Sequence, residues 1–184
     1  MYEDVIMAGF GGQGLLLIGK LLALACMEEG KEVAWIPSYG PEMRGGTCNC
    51  TVVISDNPIG SPIIQSPMSV VAMNLPSLDK FAPKIKKEGL LIINSSLIPT
   101  DSGRKDIEEV KIQANDIAMK AGTGKAANMV ALAAYIGKKK IVGLDTIEKQ
   151  IEYQFKDKPK IVEINIKALH EGYELISNKK KAKK

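Results

Sequence analysis

Val5-Ile6-Met7-Ala8-Gly9-Phe10-Gly11-Gly12-Gln13-Gly14-Leu15 is the stretch on which the fold turns. A short apolar run ends in a glycine-rich loop, and Leu15 to Glu29 then reads as a helix, apolar on nearly all sides, that closes at Gly30. A helix of that kind is one sandwiched between a sheet and a further layer. Glu32 to Pro37 follows as a second strand. Strand, glycine loop, helix and strand together open a βαβ unit with a parallel sheet.

Working outward, Ser38 to Gly46 lacks apolar periodicity and carries Gly40-Pro41 and Gly45-Gly46, so it reads as a loop. Thr47 to Ser55 alternates and is rich in β-formers. Ser69 to Met73 and Leu90 to Asn94 are short buried strands, and Val110 to Ala114 is one more. Leu75 to Lys87 is helical by pattern, but Pro76 and Pro83 divide it into two short pieces. Asn115 is placed to cap a helix over Asp116 to Ala121. Lys125 to Ile136 is a helix ending at Gly137, and Asp145 caps another that runs to Phe155. Lys160 to Ser177 is amphipathic, with Ile161, Ile164, Ala168, Leu169 and Leu175 near helical spacing. The expectation is a three-layer α/β/α domain with a Rossmann-like start and a mostly parallel sheet. The sheet is expected to be mixed at Thr47 to Ser55, because that strand follows a loop rather than a helix.

The 184 residues suffice for one core, which should be aliphatic, since 45% of the chain is hydrophobic and only 5% aromatic. A single domain is expected over residues 1–178, with 179–184 as a disordered lysine-rich tail. That tail explains the formal charge of +4: without its five lysines, 20 basic residues face 21 acidic ones. No basic stripe with interleaved aromatics points to nucleic acid. The longest apolar stretch, Leu15 to Met27, is broken by Lys20 and too short for a bilayer. Met1-Tyr2-Glu3-Asp4 does not read as a secretory leader, and three cysteines build no disulfide framework. A cytoplasmic protein is expected.

Gly9-x-Gly11-x-x-Gly14 matches the dinucleotide fingerprint between a strand and a helix. Such glycines let backbone N–H groups approach a phosphate, or simply make a tight turn. The fingerprint also needs an acid at the end of the second strand, where this chain has Trp35-Ile36-Pro37-Ser38. A standard NAD site is therefore not expected. Gly122-Thr123-Gly124-Lys125-Ala126 only superficially resembles a phosphate loop: the first glycine would fall at Met119, and Ala126 stands where a hydroxyl is required. The second unusual loop, Ser38-Tyr39-Gly40-Pro41-Glu42-Met43-Arg44-Gly45-Gly46, sets a cation beside approachable backbone. It reads either as an anion site or as a surface loop in which Arg44 pairs with Glu42.

Gly9 to Gly14 and Ser38 to Gly46 together resemble the gamma subunits of 2-oxoacid:ferredoxin (acceptor) oxidoreductases. Asn49 to Asp56, Ser61-Pro62-Ile63 and Ala126 to Ala133 extend the resemblance over roughly Val5 to Gly137. Such complexes convert a 2-oxo acid, coenzyme A and oxidised ferredoxin to an acyl-CoA, carbon dioxide and reduced ferredoxin. The resemblance implies thiamine diphosphate on alpha and beta partners, iron–sulfur clusters on other chains including a ferredoxin-like delta subunit, and ferredoxin as acceptor. It implies a gamma subunit that packs on the catalytic chains and helps bind coenzyme A, holding no cofactor tightly itself. Gly11, Gly12, Gln13 and Gly14 would face phosphate, while Arg44, Gly45 and Gly46 would make a second anion contact or the subunit interface. The wording of the second loop leans toward 2-oxoglutarate or branched-chain substrates over pyruvate. A homodimer is expected in isolation.

Chemistry of its own is hard to find in the chain. Cys26, Cys48 and Cys50 form no Cys-x-x-Cys pattern and read as buried small residues. His170 is the lone histidine and Asp101 and Asp106 lack a catalytic partner, so no nucleophile–base pair emerges. Two other readings stay open: a stand-alone nucleotide- or flavin-binding α/β protein, and a scaffold whose glycine loops only shape an interface.

Overall fold

The structure, a computed structural model, describes residues 1–39 and 46–181. Six strands, β1 (Tyr2–Phe10), β2 (Glu32–Tyr39), β3 (Thr47–Ser55), β4 (Ser69–Ala72), β5 (Leu90–Asn94) and β6 (Glu108–Ile112), form one sheet in the order β2-β3-β1-β4-β5-β6. β1, β4, β5 and β6 pair in parallel, whereas β3 runs antiparallel to both β1 and β2. The sheet is thus mixed at Thr47–Ser55, as the missing crossover helix predicts. β2 reaches the sheet beyond β3, so the first βαβ unit brackets an antiparallel strand instead of closing directly.

Six helices cover the sheet: α1 (Leu15–Glu28), α2 (Leu75–Phe81), α3 (Ala114–Ala121), α4 (Ala127–Lys139), α5 (Leu144–Gln154) and α6 (Pro159–Lys181), with 3-10 turns at Ala82–Lys84 and Gly124–Ala126. Alternation along the central strand divides the core. Val5 and Met7 face the layer of α1, α3, α4, α5 and α6, while Ile6 and Ala8 face α2. α4 is buried from Ala127 to Gly137 because it lies between the sheet and α6. Among the described residues, no helix is long and apolar enough to cross a membrane.

Helix ends show where tertiary structure overrides local signals. α1 closes as expected: Gly30 adopts φ 80°, its N–H donates to the Met27 carbonyl, and that of Lys31 donates to Cys26, a Schellman motif. Asn115 does not cap α3. The helix starts one residue earlier, and Asn94 at the end of β5 accepts from the Ala114 N–H while donating to Asn115 Oδ1. Asp145 does not cap α5 either; Gly143 holds that position, and Glu29 accepts from its N–H at 2.7 Å and from the Thr146 hydroxyl at 2.8 Å. Gly137 is not a stop signal. α4 continues to Lys139 because α6 packs against Gly137, with Ile176 3.4 Å from where a Cβ would lie. β6 sits two residues earlier than its apolar pattern suggests, in register with β5 from Leu90↔Glu108 to Asn94↔Ile112. The last helix runs past Ser177 to Lys181, and Lys183 and Lys184 of the expected tail lie outside the described residues.

Candidate functional site

The carboxyl ends of β1 and β2 meet at one edge of the sheet, because Phe10 pairs with Thr47 and Tyr39 with Cys48 across β3. The two loops singled out by sequence therefore emerge together, at the edge where open α/β sheets bind ligands. Gly46 is already in contact with the first loop: the Gly11 N–H donates to its carbonyl at 2.9 Å. Arg44 and Gly45 lie outside the described residues.

The glycine loop is locked from within. Gln13 folds back on it, its Oε1 accepting from the Phe10 N–H at 2.7 Å and its Nε2 donating to the Met73 carbonyl at 3.3 Å. The Gln13 N–H donates to the Phe10 carbonyl. The backbone donors of Gly11 and Gln13, expected to face phosphate, are therefore engaged within the chain. The Gln13 side chain supports the loop, and Gly12 and Gly14 remain as open positions. Gly12 is exposed at φ 96° with open space around it, and Gly14 at φ 74° precedes α1. The first i→i−4 bond of α1 runs from the Ile18 N–H to Gly14 O, and no side chain caps the helix. The N–H groups of its first turn thus point out of the edge with the positive end of the helix dipole. A phosphate is the group such an end accepts.

Asn128, at the start of α4, ties this loop to the helical layer by donating from Nδ2 to Gly14 O at 3.1 Å. Sequence reasoning gave this residue no role, although it lies inside Ala126 to Ala133; a polar residue in an otherwise apolar helix was the signal. Beside it opens a cavity of 220 Å³ between α1, the Gly124–Ala126 turn and the α5–α6 junction. Thr123 and Lys125 line it, but that turn is no phosphate loop. Its Gly124 N–H is directed to Met119 Sδ, its Lys125 N–H to Thr123 Oγ1 and its Ala126 N–H to the Thr123 carbonyl.

Among the described residues, no acid stands at the carboxyl end of β2 to take a dinucleotide's ribose. β2 ends at the carboxyl edge in Ser38–Tyr39, and Glu32 pairs with Ser55 at the opposite edge. Among the described residues no cluster of His, Cys, Asp and Glu is arranged to hold a metal ion. Cys26, Cys48 and Cys50 are buried free thiols. Burial pushes Cys26 and Cys50 up to about 12 and raises Cys48 as well, and Cys50 Sγ donates to the Leu15 carbonyl. Such thiols suit core packing and do not suit ligation of a cluster, which needs thiolates. His170 contacts Glu148 at 2.9 Å, Asp106 pairs with Arg104, and Asp101 stands 3.9 Å from Lys111. None of these groups is arranged with a nucleophile. The buried carboxylate of Glu3 is matched by Lys139 at 3.0 Å and the Ser69 hydroxyl at 2.6 Å, a structural knot at the far edge of the sheet.

Residues 4–175 match the pyruvate ferredoxin/flavodoxin oxidoreductase family. The ketoisovalerate oxidoreductase subunit VorA of Methanothermobacter marburgensis is 41% identical over 170 residues, covering 91% of this chain and 35% of its own length. The chain therefore spans about a third of that relative. The 2-oxoglutarate synthase subunit KorC of Methanocaldococcus jannaschii is 35% identical over 95% of this chain and 94% of its own. The crystal structure of the keto/oxoacid ferredoxin oxidoreductase gamma subunit of Geobacter sulfurreducens superimposes with a TM-score of 0.82 at 28% identity, covering 96% of this chain and 99% of that one. The chain belongs to the pyruvate ferredoxin/flavodoxin oxidoreductase family and has the fold of its separate gamma subunits.

Proposed function

We propose that this chain works as the gamma subunit of a thiamine-diphosphate-dependent 2-oxoacid:ferredoxin oxidoreductase, with alpha, beta and ferredoxin-like delta partners. In that complex the carboxyl edge of its sheet receives the phosphates of coenzyme A. The observation that carries the reading is the uncapped start of α1 behind Gly12 and Gly14, meeting the second loop through the Gly11–Gly46 hydrogen bond. The open first-turn N–H groups give an anion site, and Arg44 would add a charged, bidentate partner. Thiamine diphosphate and iron–sulfur clusters would belong on the partner chains; in keeping with this, the three thiols of this chain are buried and shifted upward, away from the thiolate a cluster needs. The chain contributes binding and positioning, with no proton transfer of its own. The complex would oxidatively decarboxylate a 2-oxo acid. KorC, alike over nearly its full length, and VorA, more identical but three times as long, keep 2-oxoglutarate and branched-chain acids in view.

The test is kinetic. Arg44→Ala, in a complex of this chain with its partners, should raise the apparent KM for coenzyme A about tenfold or more, as loss of a charge-assisted bond would, while kcat at saturating coenzyme changes little. An unchanged KM in a fully assembled complex would overturn the placement of coenzyme A at this edge.

A further inference from the structure

The 220 Å³ cavity has features that the glycine loop does not use. Its walls are mostly apolar, built by Leu17, Phe155, Ile161 and Ile164. Asn165 also lines it, and this side chain is 7% exposed. It lies on the buried face of α6, one turn before the buried Ala168 and Leu169. Among the described residues no group hydrogen-bonds to its carboxamide, and its donor and acceptor open into the cavity rather than being sealed in the core. Such a carboxamide offers a ligand in the cavity both a donor and an acceptor. At the rim stands Lys125, exposed, with the half-buried Thr123 beside it. The backbone N–H groups of this turn are engaged internally, so the charge available to a ligand is the lysine's.

We infer that this cavity is a binding site for a small amphipathic carboxylate, separate from the glycine-loop edge. Its aliphatic body lies among Leu17, Phe155 and Ile164, and its carboxylate is held by Lys125 and the Asn165 amide. The size fits: a dry cavity of about 150 Å³ takes benzene, and drug-sized ligands need about 300 Å³ or more. A body of about six to ten non-hydrogen atoms is what remains between those limits. Neither an inorganic anion, which leaves the apolar walls unfilled, nor a nucleotide, which exceeds the volume, matches all three features. The inference does not depend on the subunit reading, because it concerns binding to this chain alone.

Calorimetric titration of the full chain with 4-methylpentanoate tests it. Millimolar or tighter binding is expected for a ligand of about eight heavy atoms, with acetate and the neutral 4-methylpentanamide at least tenfold weaker. Lys125→Gln, an exposed substitution that leaves the fold intact, should weaken binding at least fivefold, and Asn165→Leu at least tenfold. Asn165→Leu should also melt no lower than the parent, since it removes no bond. No binding at 20 mM ligand, equal affinity for the amide, or unchanged affinity in Lys125→Gln would overturn the site. So would a lowered melting temperature of Asn165→Leu, which would reveal a structural partner for its amide. Displacement of the carboxylate by coenzyme A would show that the cavity is part of the coenzyme site and would overturn its separateness.

Discussion

Gly14→Ala probes the loop at its most constrained point. Gly14 has φ 74° and ψ 27°, a left-handed conformation that costs an L-residue about 1–2 kcal/mol. A Cβ there would overlap Asn128 Nδ2 and stand 3.2 Å from its Cγ, so the asparagine must swing away and release the 3.1 Å bond to Gly14 O. Losing that bond adds about 1 kcal/mol. Together the substitution should cost about 2–3 kcal/mol, a large share of a typical total of about 5–15. Urea denaturation with an unchanged m-value measures it. The decisive control is Asn128→Ala in the same background. Once the asparagine is gone the alanine meets no clash, so the double variant should be more stable than additivity predicts by about 1 kcal/mol. A cost below about 0.5 kcal/mol for Gly14→Ala, or additivity within the usual error of about 0.3–0.5, would refute the reasoning.

Burial opposes ionisation of Glu29, but the Gly143 N–H, the Thr146 hydroxyl and Lys31 together hold its carboxyl below the usual range. A depressed folded-state pKa gives stability that is present above the unfolded value, about 4.3, and lost as pH falls through the folded one. The melting temperature of the parent should therefore drop more steeply below about pH 4.3 than that of Glu29→Gln; parallel profiles would count against the cross-capping of α5. At pH 8 the native chain should leave a disulfide reagent unreacted while all three cysteines react in denaturant, because burial raises each thiol. Rapid reaction of the folded protein would contradict their placement. Arg104 clamps the carbonyls of Ala82 and Ile85 while pairing with Asp106, so Arg104→Lys should speed amide exchange in residues 82–90. Unaltered exchange there would show the clamp to be idle.

What the sequence made legible followed from periodicity and from glycine. Thr47–Ser55 and Leu90–Asn94 were readable to the residue, because alternation and a run of aliphatics leave little freedom in where a strand sits. The antiparallel insertion was foreshadowed by a loop too short in pattern to be a crossover helix. Helix starts were not legible where the cap comes from far away in the chain. Asn115 and Asp145 carry the local cap signature, yet Asn94 and Glu29 perform the capping from 20 and 114 residues away. The candidate site divides in the same manner. Its glycines could be found from spacing, but which N–H groups stay open depends on Gln13 and Gly46, whose bonds to Phe10 and Gly11 no spacing reveals. Asn165 hides for the opposite reason: its position on α6 fits helical spacing, and only the folded arrangement shows that its amide opens on the cavity.

The central claim is that this chain is an obligatory part of a 2-oxo-acid-oxidising complex. It should be co-expressed, tagged, with candidate alpha, beta and ferredoxin-like subunits, and the purified material assayed for 2-oxo-acid-dependent viologen reduction with and without coenzyme A. The account predicts co-purification in fixed stoichiometry, and activity that requires both the coenzyme and this chain, with 2-oxoglutarate or a branched-chain acid turned over in preference to pyruvate. Full coenzyme-A-dependent activity of the partners in its absence, or failure of the chain to join them, would contradict it.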